Sequence, residues 1–164
     1  MSHKSSFSGD LHFLSNMYPV VCTIGEYNFP CSETAYMSFK TKDKQLLDSI
    51  VKEQWPGYKA KRFFRTNPSA IISEWHTIQS DAMWTALNAK FAPSSNMLDR
   101  LMRVPIALLV ERNTWGDRYW GVDYYTNRGE NMLGRMLKGV QQLNHNGQLT
   151  ADTDFVARLN ILTF

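Results

Sequence analysis

The sequence predicts an α+β fold, a single and mostly helical domain with a small N-terminal β region. Three observations lead there. Strand-favouring residues (Val20, Val21, Thr23, Tyr27 and Phe29) crowd the segment before Pro30, with Gly25 marking a tight connection. From Ser32 onward, helix starts, helix stops and three- and four-residue apolar spacing recur. The chain has 164 residues, 43% of them hydrophobic, and shows no repeat, linker or low-complexity stretch, which fits one domain over 1–164 with a real core.

Each element has its own local warrant. Residues 7–31 read as strands and turns. Pro30 stops that run, and Ser32 is a good N-cap for a helix from Glu33 to about Thr41. A second helix over Lys44–Gln54 ends at Trp55-Pro56-Gly57. The basic stretch 58–66 carries Lys59, Lys61, Arg62 and Arg65. A solvated helix face accounts for most such runs, and a phosphate contact needs only one or two of the four. The longest helix is expected from about Ser69 to Phe91, because Ile71, Ile72, Trp75, Ile78, Ala82, Ala86 and Leu87 share one spacing. Pro93-Ser94-Ser95 breaks it, and Asn96–Met102 begins another turn or helix. The continuous apolar run Ile106–Val110 reads as a buried strand. A Gly- and Asn-rich loop leads to a helix over Asn131–Leu143, and Asn144–Gly147 reads as a turn. Phe155, Val156, Leu159 and Leu162 then give a C-terminal helical extension within 144–164.

Composition narrows the function. The net charge of +3 is too small to imply a nucleic-acid coat by itself. His3, His12, His76 and His145 are scattered without ligand spacing, so no metal is expected, and no cofactor. Cys22 and Cys31 flank the Gly25 turn. With no secretory signal ahead of them, they are expected to be reduced thiols in a cytoplasmic protein. No apolar run approaches the ~18 residues that span a bilayer, so no membrane partner is expected.

Two segments carry the chemistry. Ser32–Lys40 places Glu33, Tyr36 and Lys40 at i, i+3 and i+7, one face of a helix, with Phe39 adjoining. A glutamate at a helix start often does no more than complement the dipole. Company on the same face favours chemistry instead. Lys40 suits a phosphate, or imine formation if desolvation lowers its pKa. The second segment is Asp117-Arg118-Tyr119-Trp120-Gly121, followed by Gly129-Glu130-Asn131-Met132-Leu133-Gly134. Trp120 beside Gly121 offers a stacking face. Gly129-Glu130-Asn131 suits an anion at a helix start, or simply caps that helix. The two segments are expected to meet at one small pocket that performs acid/base work on a flat, phosphorylated substrate.

These residues resemble a known family, the NADAR domain or YbiA-like N-glycosidases. The resemblance rests on Phe13-Leu14-Ser15-Asn16-Met17-Tyr18-Pro19, Glu33 through Lys40, Trp75 with Ala86-Leu87-Asn88-Ala89-Lys90-Phe91, and Leu109-Val110-Glu111. It ends with Asp117, Trp120, Gly121, Gly129, Asn131, Leu133 and Gly134. The matches fall in order over roughly 7–138, leaving 144–164 outside. Three positions depart from the family pattern: Thr34 stands for a histidine, Met37 for a glutamine and Phe64 for a glycine. They imply retained chemistry in a reshaped pocket.

The resemblance implies hydrolysis of an N-glycosidic bond on a ribosyl phosphate. The implied substrates are phosphorylated ribosylamine intermediates of riboflavin synthesis, or ADP-ribose on guanine bases, with contact to ADP-ribosylated nucleic acid. Glu33, Lys40 and Asp117 are the implied catalytic residues. Asn16, Tyr36, Arg65, Trp75, Lys90, Trp120, Gly121 and Asn131 are the implied substrate-binding residues. Direct attack by water and an imine on Lys40 stand as equal routes. Two other readings compete. A non-catalytic ADP-ribose or NAD-binding module would use the same pocket, although it has no need of Glu33. A nucleic-acid-binding protein rests on the basic run alone.

Overall fold

Helices dominate the computed structural model, and its strands are short, as the α+β expectation requires. It describes residues 2–145 and 151–164. The chain forms two units. One comprises residues 16–92 with 159–164, and the other residues 1–15 with 93–158.

In the 16–92 unit, β1 (Cys22–Ile24) and β2 (Tyr27–Phe29) make an antiparallel hairpin in the register Cys22 to Phe29. Gly25 supplies the positive φ of +60° that this turn requires. The helix α1 (Ser32–Ser38) follows, buried along its whole length. Ser32 is its first residue rather than its cap, since its hydroxyl donates to Asn16 Oδ1 at 2.9 Å. The α-helical pattern ends at Ser38, and i to i−3 bonds from Phe39, Lys40 and Thr41 tighten the last turn. The helix α2 (Lys44–Lys52) is capped by Asp43, whose carboxylate accepts from the amides of Gln45 and Leu46. After Pro56, α3 (Gly57–Thr66) buries Gly57, Ala60 and Phe64.

The longest helix, α4 (Trp75–Lys90), begins six residues later than its apolar spacing suggests. Pro68–Ala70 makes a separate 3-10 turn, and the amide of Ile72 donates to the carbonyl of Lys40 at 2.8 Å. That bond holds Ile71–Ile72 out of the helix. The tail 159–164 is not helical. Its amides go to α4 side chains, Asn160 N to Asp81 at 2.9 Å and Leu162 N to Thr85 at 2.8 Å. Phe164 stacks on Phe39 with centroids 4.2 Å apart.

In the other unit, the start of the 7–31 stretch read as strands and turns instead forms a 3-10 helix over Gly9–Leu14. The helix α5 (Asn96–Met102) is capped by Ser95. The run expected as a buried strand, Ile106–Val110, forms a 3-10 turn at Ile106–Leu108. Leu109 is buried while Ile106 and Leu108 face solvent, because a turn after Pro105 cannot send alternate residues to one core. A minimal parallel pair, β3 (Arg112–Asn113) and β4 (Val122–Asp123), follows. The helix α6 (Met132–Leu143) packs against α7 (Ala151–Val156), with Arg135 bonded to Asp152 at 3.2 Å and its guanidinium over Phe155. The extension expected within 144–164 thus contributes one short helix. The Asn144–Gly147 turn reaches residues outside those described. Among the described residues no helix is long and apolar enough to cross a membrane.

Cys22 and Cys31 are free thiols, both buried. Burial pushes the Cys22 thiol up to about 12; the Lys90 cation pulls the other way, and Cys31 adds slightly to the rise. Cys22 is therefore not a ready nucleophile at neutral pH. A colorimetric thiol reagent should find no reactive cysteine in the native protein at pH 8 and two after denaturation. Rapid native labelling would show that the hairpin opens freely.

Candidate active site

The first segment supplies a carboxylate inside the protein. Glu33 is 6% exposed, an expensive placement for a charge without compensation. Three neighbours fix it. Its amide donates to the carbonyl of Asn16 at 2.9 Å, so the Phe13–Pro19 segment sets the start of α1. Thr34 next to it donates to the carbonyl of Trp55 at 2.7 Å, tying the helix to the connection between α2 and α3. Gly57 then lets α3 close on α1. A Cβ on Gly57 would lie 2.9 Å from Glu33 Cβ and 2.6 Å from the Met17 sulfur.

Two cations share the field of this carboxylate. Lys61 Nζ, one turn into α3, is 4.0 Å from Glu33 Oε1. Lys40 is half-buried, and its amine lies 5.2 Å from the Trp75 ring centre and 6.0 Å from that of Phe64. Burial lowers the Lys40 pKa from its ordinary 10.5; the Glu33 carboxylate pulls it back up, and the Lys61 cation lowers it further. Tyr36 packs against Trp75 with ring centres 5.2 Å apart. The result is a carboxylate, an amine with a weakened hold on its proton, and a wall of aromatic rings.

The family departures have visible consequences. Phe64 puts a ring near the Lys40 amine in place of a glycine's open space. Thr34 turns its hydroxyl to the backbone, where a histidine would bring a larger polar ring. Met37 is a buried apolar side chain.

The remaining residues of this unit fall in different surroundings. Asn16 is buried, with Oδ1 accepting from Ser32 and its amide against the Met83 sulfur at 3.3 Å. It anchors α1. Trp75 starts α4 and is buried against Tyr36. Arg65 is exposed at the end of α3. Lys90 is 0% exposed, with its amine 5.3 Å from the Phe91 ring and 5.9 Å from that of Tyr18. No surface of Lys90 faces solvent. Sequence reasoning passed over Lys61 in favour of Arg65. Lys61 lies four residues after Gly57, on the side of α3 that the tertiary structure brings to Glu33, and nothing in the spacing marked it out from Arg65.

The second segment belongs to the other unit, and its residues hold a loop together. Asp117 Oδ1 accepts from the amides of Tyr119 at 3.1 Å and Trp120 at 2.9 Å. The side chain of buried Asn113 bonds both the amide and the carbonyl of Asp117. Trp120 is half-buried and edge-on to Tyr119. Gly121 passes so close to the backbone of Glu111 that no Cβ fits there. Asn131 adopts a left-handed conformation, φ +51°, which asparagine tolerates. Its side chain does not cap α6. Instead Oδ1 accepts from the Glu111 amide at 3.0 Å and Nδ2 donates to the Leu109 carbonyl at 3.1 Å.

A substitution at Gly57 tests this packing. Gly57→Ala should cost about 1–3 kcal/mol of stability, because Glu33 Cβ belongs to a helix and cannot swing aside. Chemical denaturation measures the loss, and an unchanged midpoint would show that α3 has room.

Comparison with known proteins adds a second line of argument. The sequence pattern of the NADAR domain matches residues 4–143. The chain is 28% identical over 137 residues to the N-glycosidase YbiA of Shigella boydii serotype 4 (strain Sb227), covering 84% of each chain. The N-glycosidase YbiA of Escherichia coli (strain K12) shows the same identity and coverage. The NMR structure of the E. coli protein YbiA is similar in fold, with a TM-score of 0.63 at 23% identity over 87% of each chain. The pattern spans most of this sequence, and the chain belongs to the NADAR domain family.

Proposed function

We propose that this protein is an N-glycosidase that cleaves the bond between the anomeric carbon of a ribosyl phosphate and a nitrogen. The observation that carries the reading is Glu33, a buried carboxylate with the Lys40 and Lys61 amines in its field. Cleavage of an N-glycosidic bond develops positive charge at the anomeric carbon. A carboxylate in a low-dielectric site stabilises that charge and takes a proton from the attacking water. The new C–O bond forms as the C–N bond breaks, and the nitrogen leaves with the bonding pair and takes up a proton. Cationic side chains hold the phosphate by charge-assisted hydrogen bonds. The kinship with proteins named N-glycosidase YbiA supports the same reaction class.

The substrates proposed are phosphorylated ribosylamine intermediates of riboflavin synthesis and ADP-ribose on guanine bases, including bases in nucleic acid. Release of the free base or amine from these compounds, followed by chromatography, tests the reading. No release from either class would overturn it.

Two variants divide the labour at the site. Glu33→Gln keeps size and hydrogen bonding but removes charge, so turnover should fall about 100- to 10,000-fold with the fold intact. Activity within threefold of the parent would remove Glu33 from the reaction. Lys40 offers a second route: ring opening makes C1 an imine to the base nitrogen, the neutral Lys40 amine attacks C1 and expels that nitrogen as the free amine, and water then hydrolyses the lysine imine to release the sugar aldehyde. Its lowered pKa favours that chemistry, and the rate should then rise with pH through an ionisation below 10.5. Borohydride should trap an adduct on Lys40, and Lys40→Arg should abolish both the adduct and the alkaline rise. An active Lys40→Arg variant without an adduct in the parent would leave attack by water as the route.

A further inference from the structure

The basic stretch on α3 supplies four cations, and the structure gives them different work. Lys59 pairs with Glu53 at 3.2 Å and lies over the Trp55 ring at 4.2 Å. Arg62 and Arg65 are exposed. Lys61 approaches Glu33, at 4.0 Å. We propose that Lys61 is an exchangeable counter-ion: it balances the Glu33 carboxylate in the free protein and moves to the phosphate of a bound ribosyl phosphate, freeing the carboxylate to face the sugar. This inference rests on the reading of the Glu33 site given above.

The geometry favours exchange over a fixed pair. The separation of 4.0 Å is at the outer limit of an ion pair, and the two partners are unequally buried. The Glu33 side chain is 8% exposed and that of Lys61 is 52% exposed. The carboxylate is held in place, whereas the amine reaches it from solvent on a flexible four-carbon stem. A half-exposed lysine gives up such a pair at small cost. Charge also points outward. Lys40 and Lys61 together exceed the single negative charge of Glu33, which leaves positive potential for an anion arriving from solvent. Lys40 is tied to the aromatic wall, so Lys61 has the greater freedom to follow a phosphate. Gly57 makes the arrangement available by bringing the first turn of α3 onto Glu33.

Binding of ribose 5-phosphate, measured by calorimetry at fixed ionic strength, tests the inference without requiring turnover. Lys61→Met should weaken binding by tenfold or more, and Lys61→Arg should recover it to within threefold. Lys59→Met should leave it unchanged, because Lys59 faces Glu53. In hydrolysis assays Lys61→Met should raise KM for phosphorylated substrates more than it lowers kcat. Lys61→Met should remain folded at the assay temperature by circular dichroism, with at most a small fall in melting temperature from the lost counter-ion, which separates binding from folding. Equal loss in Lys59→Met would reduce the effect to general charge and overturn the inference. So would unchanged affinity in Lys61→Met, or no binding of ribose 5-phosphate by the parent. Lys61-dependent binding without hydrolysis of any ribosyl phosphate would instead overturn the N-glycosidase reading and leave the anion contact standing.

Discussion

A carboxylate out of water is the constraint around which the 16–92 unit is organised. Glu33 on a fully buried helix loses hydration worth far more than a single packing contact returns. The fold answers with position and charge. The Asn16 carbonyl and the Trp55 carbonyl hold the start of α1, and Gly57 removes the one carbon atom that would keep α3 away. Only with α3 that close can a lysine on its next turn reach the carboxylate. The same closeness places Phe64 near Lys40, and burial then weakens the hold of that amine on its proton. Packing and electrostatics around Glu33 are consequences of one close helix contact.

The other unit solves a different problem, that of giving fixed shape to a long stretch with little regular structure. Between Leu109 and Met132 there are four strand residues in two pairs. Side-chain to backbone bonds replace the missing ladders. Asp117 holds two amides, Asn113 holds Asp117, Asp123 holds the turn at Thr126, and Asn131 bridges Leu109 and Glu111. Gly121 and Gly129 allow backbone segments to touch. The polar and glycine residues that stand out in this sequence therefore have structural work to do, whatever ligand contact they also make.

Local signals were legible where local forces decide. Gly25 between two runs of strand formers gave a hairpin, and the helices over Lys44–Lys52, Asn96–Met102 and Met132–Leu143 lie where the sequence places helix starts and stops. The signals failed where distant partners captured a backbone group. Ile72 has the spacing of the α4 helix, but its amide is taken by the Lys40 carbonyl. Leu162 has helical spacing with Phe155 and Leu159, but its amide is taken by Thr85. Ile106–Val110 is as apolar as a buried strand, yet no neighbouring strand pairs with it, and it coils into a 3-10 turn.

By itself the sequence determined the helical α+β class, the presence of Glu33, Tyr36 and Lys40 on one short stretch, and the family pattern that spans most of the chain. These follow from spacing and residue type, which a linear chain displays directly. Tertiary structure decided which cation meets the carboxylate. Lys61 and Arg65 lie four residues apart on one helix with nearly the same chemistry, and spacing alone treats them alike. They differ because α3 approaches α1 at its glycine end, so the first of the two lies near Glu33 and the second is exposed at the end of the helix. Lys90 likewise reads as a phosphate ligand in the sequence, and only packing around Tyr18 and Phe91 places its charge in the interior.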